Sequence, residues 1–233
     1  SSDDLRSIYQ TSDGGYILAG RSLSGIGGHK TEANYGTGDW WIVKIDAVGN
    51  LEWEKSYGGA GDEYFVTVVQ TSDGGYLLSG DSNSGISGDK TMASKGFSDY
   101  WIIKTDALGN VLWDKSYGGN SFDILYNMIP TNDNGFMLAG ISWSGATGDK
   151  SQPCWGFNDY WLVKVDALGN LEWEKDFGGI DIEETMGNVI QTLDDGYLVN
   201  GVTYSDISGN KTELNLGYRQ QWAVKTDAAG TLL

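Results

Sequence analysis

The stretch "DYWIIKTDALGNVLWDKSY", Asp99 to Tyr117, decides the fold of this chain. Its first half, Asp99–Asp106, is rich in the aromatic and β-branched residues that favour strands. The "ALGN" segment that follows has the composition of a tight turn. A second β-rich run, Val111–Tyr117, comes after the turn. The stretch therefore predicts a hairpin of two antiparallel strands.

The hairpin recurs along the chain at a fixed spacing. Trp101 has counterparts at intervals of 60, 60 and 61 residues, which are Trp41, Trp161 and Trp222. The one extra residue of the last interval falls between Gly179 and Gln191. Internal repetition at such a period is the signature of a repeat architecture.

Two further β-rich runs precede the hairpin in each copy. In the second copy they are "EYFVTVVQ", Glu63–Gln70, and "YLLSGDS", Tyr76–Ser82, joined by an Asp-Gly turn. No segment shows the apolar spacing of an amphipathic helix. Each unit of about 60 residues is therefore predicted to form four short antiparallel strands.

The third strand of the unit carries apolar residues on both faces. Trp101 and Ile103 point to one side, and Tyr100 and Ile102 point to the other. Both faces then need a neighbouring unit, and radial packing of four-stranded sheets supplies one. We therefore expect an all-β fold, a four-bladed β-propeller with four antiparallel strands per blade.

The predicted propeller is a single domain, residues 1–233. Its blades are expected at about residues 1–59, 60–119, 120–179 and 180–233, called here the first to fourth repeats. The fourth outer strand is cut short at Leu233. Two interpretations follow: a complete four-bladed ring with a frayed seam, or a part of a larger ring or array.

The composition of the chain limits the classes of molecule that it is expected to bind. The net charge is −17 and the isoelectric point is about 4.2, so nucleic acid and anionic membrane surfaces are not expected partners. Cys154 is the single cysteine, which excludes an intrachain disulfide. The sequence shows neither an apolar run of membrane-spanning length nor a signal peptide, so membrane insertion is not expected.

The repeat resembles one found in secreted proteins of Bacteroidota. The motifs that carry the resemblance are "QTSDGGY", Gln10–Tyr16 and Gln70–Tyr76, and "DYWIIKTDALGN", Asp99–Asn110. The resemblance covers essentially the whole chain in four copies. Such proteins often carry a C-terminal sorting domain for type IX secretion, which is not seen here. The resemblance implies an extracellular or cell-surface repeat domain and no particular activity.

One long polar loop recurs in every repeat between the second and third strands. In the second repeat it is "SGISGDKTMASKGFSDYW", starting at Ser84, and the other copies start at Ser24, Ser144 and Ser205. The turns at the opposite ends of the strands are short, so all four loops are expected on one face. Loops on a rigid scaffold are where binding sites usually lie.

Differences among the four loops suggest a binding site. Aromatic side chains beside carboxylates suit sugar rings, which have apolar faces and hydroxyl edges. The predicted binding residues are Tyr35, Asp89, Phe97, Trp143, Asp149, Trp155, Phe157, Tyr204 and Tyr218. Their expected partner is a glycan or a surface protein. The alternative is that the aromatic residues only anchor the loops to the sheets beneath.

Residues that are identical among the copies favour a structural interpretation. Each loop contains a lysine, at Lys30, Lys90, Lys150 and Lys211, and three are followed by an aspartate, at Asp39, Asp99 and Asp159. The third strands carry lysines as well, at Lys44, Lys104, Lys164 and Lys225. Buried lysines need a carboxylate or carbonyl partner, and short polar side chains bond to nearby backbone.

Signals for catalysis or a metal are weak. His29, the only histidine, stands where the other loops have aspartate or asparagine, and no Cys/His cluster has zinc spacing. We therefore predict no enzyme, no catalytic or metal-ligating residue and no cofactor, with a calcium ion left open because oxygen ligands leave little sequence trace.

The predicted function is an extracellular binding or scaffold module. Two alternatives stay open. One is a structural unit of a surface filament or array that self-associates through the incomplete fourth blade. The other is a glycan-active enzyme, although no acid–base pair stands out among the many carboxylates.

Overall fold

A computed structural model describes residues 2–233, apart from the side chains of residues 65, 66, 184 and 185. Over this range the fold is all-β, as predicted, with fifteen strands in four separate antiparallel sheets. None of the described residues belongs to a helix long and apolar enough to cross a membrane.

The strands follow one another in pairing order within each sheet. Sheet 1 contains β1 (Asp3–Gln10), β2 (Tyr16–Ser22), β3 (Asp39–Ile45) and β4 (Leu51–Tyr57). Sheet 2 contains β5 (Glu63–Gln70), β6 (Tyr76–Ser82), β7 (Asp99–Thr105) and β8 (Val111–Tyr117). Sheet 3 contains β9 (Asp123–Pro130), β10 (Phe136–Ser142), β11 (Asp159–Val165) and β12 (Leu171–Phe177). Sheet 4 contains β13 (Glu183–Gln191), β14 (Tyr197–Thr203) and β15 (Gln220–Thr226).

The turn between the first two strands of each repeat requires a left-handed backbone. Gly14 and Gly74 take φ values of 85° and 83° there. Asn134 and Asp195 fill the same position in the third and fourth repeats, with φ values of 67° and 60°. Asparagine and aspartate tolerate this region better than other side chains, so the turn is kept without glycine.

The prediction of a four-bladed β-propeller is wrong. No sheet is closed or curled, and each is a separate antiparallel sheet with two edges. A closed four-bladed ring would also cover both faces of every sheet. Strands β6, β7, β10 and β11 are buried at every position. By contrast, β2 and β14 alternate between buried and more exposed positions, so the first and last sheets each leave one face uncovered.

Two compact units divide the chain. The first comprises Ser1–Ser94 and Ser98–Ser116, and the second comprises Lys95–Phe97 and Tyr117–Leu233. The core of each unit lies between a pair of sheets. In the first unit, Trp40 of sheet 1 packs on Trp101 of sheet 2, with ring centroids 4.8 Å apart.

The core of the second unit repeats this arrangement. Tyr160 of sheet 3 stacks on Trp222 of sheet 4 at 5.5 Å. Aliphatic side chains from both sheets surround the pair, among them Met137, Leu162, Val199 and Val224. Apolar area removed from water in such sheet-on-sheet contacts is the main stabilising contribution to the fold.

The third-strand lysines have the structural role that was predicted. Each ammonium group pairs with an aspartate of the turn between the first two strands: Asp13, Asp73, Asp133 and Asp194. The aspartates two residues after these lysines cap the hairpin turns, as Asp46 does by accepting the N–H groups of Val48 and Asn50.

Candidate functional site

Each long loop is fixed from beneath by buried polar side chains. The carboxylate of Asp39 accepts the backbone N–H of Tyr35 at 2.6 Å, and Asp159 accepts that of Trp155 at 2.8 Å. The loop lysines are buried too: Lys90 bonds to the hydroxyl of Ser116. The identical positions of the four loops therefore account for loop structure and leave the variable positions as candidates for binding.

The two predicted binding carboxylates, Asp89 and Asp149, form hydrogen bonds with the linkers between consecutive repeats. Asp89 accepts the N–H of Gly58 at 3.2 Å, and its own N–H donates to the carbonyl of Gly58 at 2.9 Å. Asp149 accepts the N–H of Gly118 and forms an ion pair with Lys95 at 2.5 Å. The linker before each of their sheets therefore supplies a hydrogen-bond donor to both carboxylates.

Tyr35 and Trp155 occupy the same mid-loop position in their repeats. The Tyr35 ring lies against Gly88 of the next loop, and the Trp155 ring lies against Gly209. Both glycines have positive φ, and a Cβ on either would collide with a carbonyl oxygen. Each ring thus clamps the following loop while about half of its surface stays exposed.

Three of the predicted residues come together in one surface cavity of the second unit. Phe157, Tyr204 and Tyr218 line a cavity of about 490 Å³, and the rings of Tyr204 and Tyr218 meet edge to face at 5.2 Å. Phe157 is 69% exposed and Tyr218 is 86% exposed. Asp181, Ile182 and Gly217 complete the lining, and we call this site the aromatic groove.

A second aromatic cluster of the same unit occupies the repeat-equivalent position. Phe97 stacks on Phe122 at 5.0 Å and 22°, and the N–H of Trp143 donates to the carbonyl of Phe122. These residues stand one repeat before Phe157, Ile182 and Tyr204. One repeat earlier still, the corresponding places carry polar residues, Thr37, Asp62 and Asn83, so both aromatic clusters at these places lie in the second unit.

Sequence reasoning missed the linker residues of both clusters. Phe122 and Ile182 each stand one residue before a first strand, where the second repeat has Asp62. An apolar residue at that place in a polar glycine-rich linker was the available signal. A cavity of about 370 Å³ beside Trp173 and Tyr197 was also not anticipated, but its Lys164 is already paired with Asp133 and Glu172.

Three potential metal ligands lie together under the third loop. The sulfur of Cys154 and carboxylate oxygens of Asp159 and Asp176 are within 4.8 Å of one another. The ammonium group of Lys150 already forms a buried ion pair with Asp176. Burial also raises the pKa of the Cys154 thiol to about 12. A fixed positive charge thus balances this cluster, which fits a structural role.

The pKa values of the buried carboxylates and of the exposed carboxylates in the turns are shifted in opposite directions. Burial raises the pKa of Asp39 to about 6 and those of Asp81 and Glu183 to about 7. Hydrogen bonds from Thr11 and Lys44 lower the pKa of Asp13 to about 2. A raised pKa means that the folded chain binds the proton more tightly, so stability increases as pH falls from about 7 towards 4. A carboxyl group with a lowered pKa stabilises the fold while it is ionised, so its contribution is lost as the pH falls below about 4.

We therefore expect the melting temperature to pass through a maximum near pH 4–5 rather than at neutral pH. Differential scanning calorimetry between pH 3 and 8 measures this profile. The variant Asp81→Asn should make the melting temperature depend less on pH above pH 5, since it removes one of the carboxyl groups whose pKa is raised in the folded chain. A melting temperature that falls steadily from pH 7 to pH 4 would contradict the assignment.

Comparisons with known proteins add information on the fold alone. No protein family matches the chain, and no curated protein sequence does. Among solved structures, a protein of unknown function from Bacteroides caccae is similar over 100% of this chain, with 10% sequence identity and a TM-score of 0.51. The chain spans 66% of the length of that protein.

Proposed function

We propose that this chain is an extracellular carbohydrate-binding module whose ligand site is the aromatic groove. The observation that carries the proposal is the convergence of Phe157, Tyr204 and Tyr218 on one open cavity of about 490 Å³. Cavities of roughly 300–1,000 Å³ are typical of small-ligand sites. Contiguous apolar patches left exposed on a protein surface often mark interaction sites or ligand-binding grooves.

The chemistry of the groove fits a sugar. The faces of Phe157 and Tyr218 offer flat apolar platforms to the C–H face of a pyranose ring. The carboxylate of Asp181, at the edge of the cavity, accepts hydrogen bonds from hydroxyl groups. The net charge of −17 disfavours anionic polysaccharides, so neutral glycans are the expected class.

The extracellular setting rests on the resemblance of the repeat to those of secreted Bacteroidota proteins. The chain contains 32 acidic residues against 15 basic ones, which suits a soluble surface outside the cell. A scaffold role within an array of repeats is the second candidate function. The uncovered apolar face of the first sheet favours it, and the two functions are compatible.

Replacing Tyr218 or Phe157 with alanine should weaken binding to a neutral oligosaccharide by about ten-fold or more, because each ring supplies a stacking surface. An array of β-1,4-glucans, xylans and mannans with the unaltered chain identifies the ligand, and isothermal titration calorimetry then compares the variants.

Leu216→Ala is the matched control, since Leu216 lies in the same loop as Tyr218, is 92% exposed and does not line the cavity. It should bind like the unaltered chain. Thermal unfolding of all three variants should be nearly unchanged. Failure of the array to show a binder, or unchanged affinity in both aromatic variants, would overturn the proposal.

A further inference from the structure

The uncovered face of the first sheet is apolar, and the second sheet shows the role of such a face. In sheet 2 it consists of five side chains that are at most 2% exposed: Val68, Tyr76, Leu78, Trp101 and Ile103. They pack against the opposite face of sheet 1, which presents Ile17, Ala19, Trp40 and Ile42. In this interface the aromatic ring at position 40 stacks on the tryptophan at position 101.

Sheet 1 has the same chemistry at all five equivalent positions, 60 residues earlier. They are Ile8, Tyr16, Leu18, Trp41 and Val43. None of the five is buried, and Ile8 is 61% exposed. A hollow of about 270 Å³, lined by Leu5, Leu18, Trp41 and Val43 among others, lies on this face. We call this surface the open face.

The uncovered face of the last sheet is different. Beside the half-buried Leu198 and Val202 and the exposed Ile190, this face presents three exposed residues that have larger apolar or smaller side chains in the other repeats: Asn200, Gln221 and Ala223. The earlier repeats have alanine or serine, then tryptophan or tyrosine, then isoleucine or leucine at these positions. The last sheet therefore lacks the aromatic ring and the large aliphatic side chain that Trp40 and Ile42 contribute to the packing of sheet 1 on sheet 2.

Polar groups at the rim of the open face indicate how a partner would be attached. In the other repeats, the carboxylate at the start of the first strand accepts an N–H of the preceding Gly-Gly linker. The pairs are Gly59 with Glu63, Gly119 with Asp123, and Gly179 with Glu183.

A loop serine completes the binding of the linker. Ser84 accepts the N–H of Gly61, and Ser144 and Ser205 do the same in their repeats. Asp3 and Ser24 are the counterparts in the first repeat, and the Ser24 hydroxyl donates to Asp3 at 2.9 Å. The first repeat thus keeps both acceptors for a linker.

We propose that the open face binds one further repeat of the same class. That repeat presents an aromatic ring at the position of Trp40, where it covers Trp41, and reaches Asp3 and Ser24 through a Gly-Gly linker. A second copy of this chain would offer neither the aromatic ring nor the Gly-Gly linker. Its last sheet would place Gln221 on Trp41, and its first sheet would bring no Gly-Gly linker to Asp3.

The test is a fusion of a copy of residues 61–120 in front of Ser1, so that "YGGN" leads into the first repeat as it leads into the third. The copy presents Tyr100 and Ile102 to the open face. Amide hydrogen exchange in Tyr16–Ser22 and Asp39–Ile45 should slow by about ten-fold or more, because each repeat stabilises its neighbour.

A control fusion carries Tyr100→Gln and Ile102→Ala in the added copy, which gives it the residues of the last sheet at these positions. It should leave exchange in the first repeat unchanged, and a protease should remove the added copy. Equal exchange in both fusions and the unaltered chain would overturn the proposal. So would a stable dimer of the unaltered chain, measured by light scattering, that Trp41→Ala abolishes.

Discussion

Replacing Trp101 with alanine is expected to lower the free energy of unfolding by about 3–5 kcal/mol, the usual cost of truncating a large buried aromatic side chain. Trp101 is fully buried and packs on Trp40, with ring centroids 4.8 Å apart and ring planes tilted by 32°. Its indole N–H also donates to the carboxylate of Asp114 at 2.9 Å. The substitution therefore opens a cavity and removes one of the hydrogen bonds that the buried Asp114 carboxylate accepts.

Trp41→Ala is the matched comparison, because Trp41 holds the same position one repeat earlier. Its indole N–H donates to Glu54 at 2.6 Å, so the lost hydrogen bond is nearly the same. Trp41 is only half-buried, whereas Trp101 is fully buried, and we expect a loss of about half that of Trp101→Ala or less. Urea unfolding followed by circular dichroism measures both variants.

The pair of variants distinguishes the open first sheet from a closed arrangement. In a closed ring, both tryptophans would be packed on both sides. The two alanine variants would then lose similar amounts of unfolding free energy. Equal losses would therefore show that another part of the chain covers the open face in solution. A much smaller loss at Trp41 would agree with the burial pattern of β2 and β3.

The sequence predicted the repeat and its strands closely. β5, β6 and β8 have the predicted bounds, and β7 ends one residue earlier than expected, at Thr105. The extra residue of the fourth repeat lies within β13, whose register shifts between Met186 and Val189. Period-two patterning and turn residues act locally, so a single sequence can carry them.

The arrangement of the sheets could not be predicted in the same way. "DWWIVKI" and "DYWIIKT" have nearly the same pattern, yet β3 alternates in burial and β7 is buried throughout. An apolar sheet face indicates that packing against another sheet is favourable, but it does not show whether the same chain supplies that sheet. The propeller prediction treated the first repeat like the second, and this step was wrong.

The sequence indicated which side chains come together but not the hydrogen bonds that backbone groups make to them. Phe157, Tyr204 and Tyr218 converge because variable positions of consecutive loops adjoin. Asp89 and Asp149, also predicted to bind a ligand, accept the backbone N–H groups of Gly58 and Gly118, contacts that the sequence did not indicate. Main-chain partners leave no sequence pattern, since every residue has an N–H group except proline.

The second large effect is expected at the buried ion pair of the third loop. Lys150→Met should lower the free energy of unfolding by about 3–5 kcal/mol at pH 8, because it leaves the Asp176 carboxylate buried without its cation. Both side chains of the pair are at most 1% exposed, and one Asp176 oxygen has no hydrogen-bond partner. Burial raises the pKa of Asp176 to about 7, so protonation should reduce the loss at pH 5.

The first two repeats provide the control. Lys30 and Lys90 bond to Ser56 and Ser116, which hold the position of Asp176. Asp176→Ser therefore restores the repeat's own residue, and we expect a change within about 1 kcal/mol or a gain in stability, because burying a carboxylate is costly. Chemical denaturation of both single variants and the double variant at pH 5 and 8 gives the coupling energy. If Asp176→Ser cost as much as Lys150→Met, the ion pair would be a net source of stability, and the serine of the other repeats would not be its equivalent.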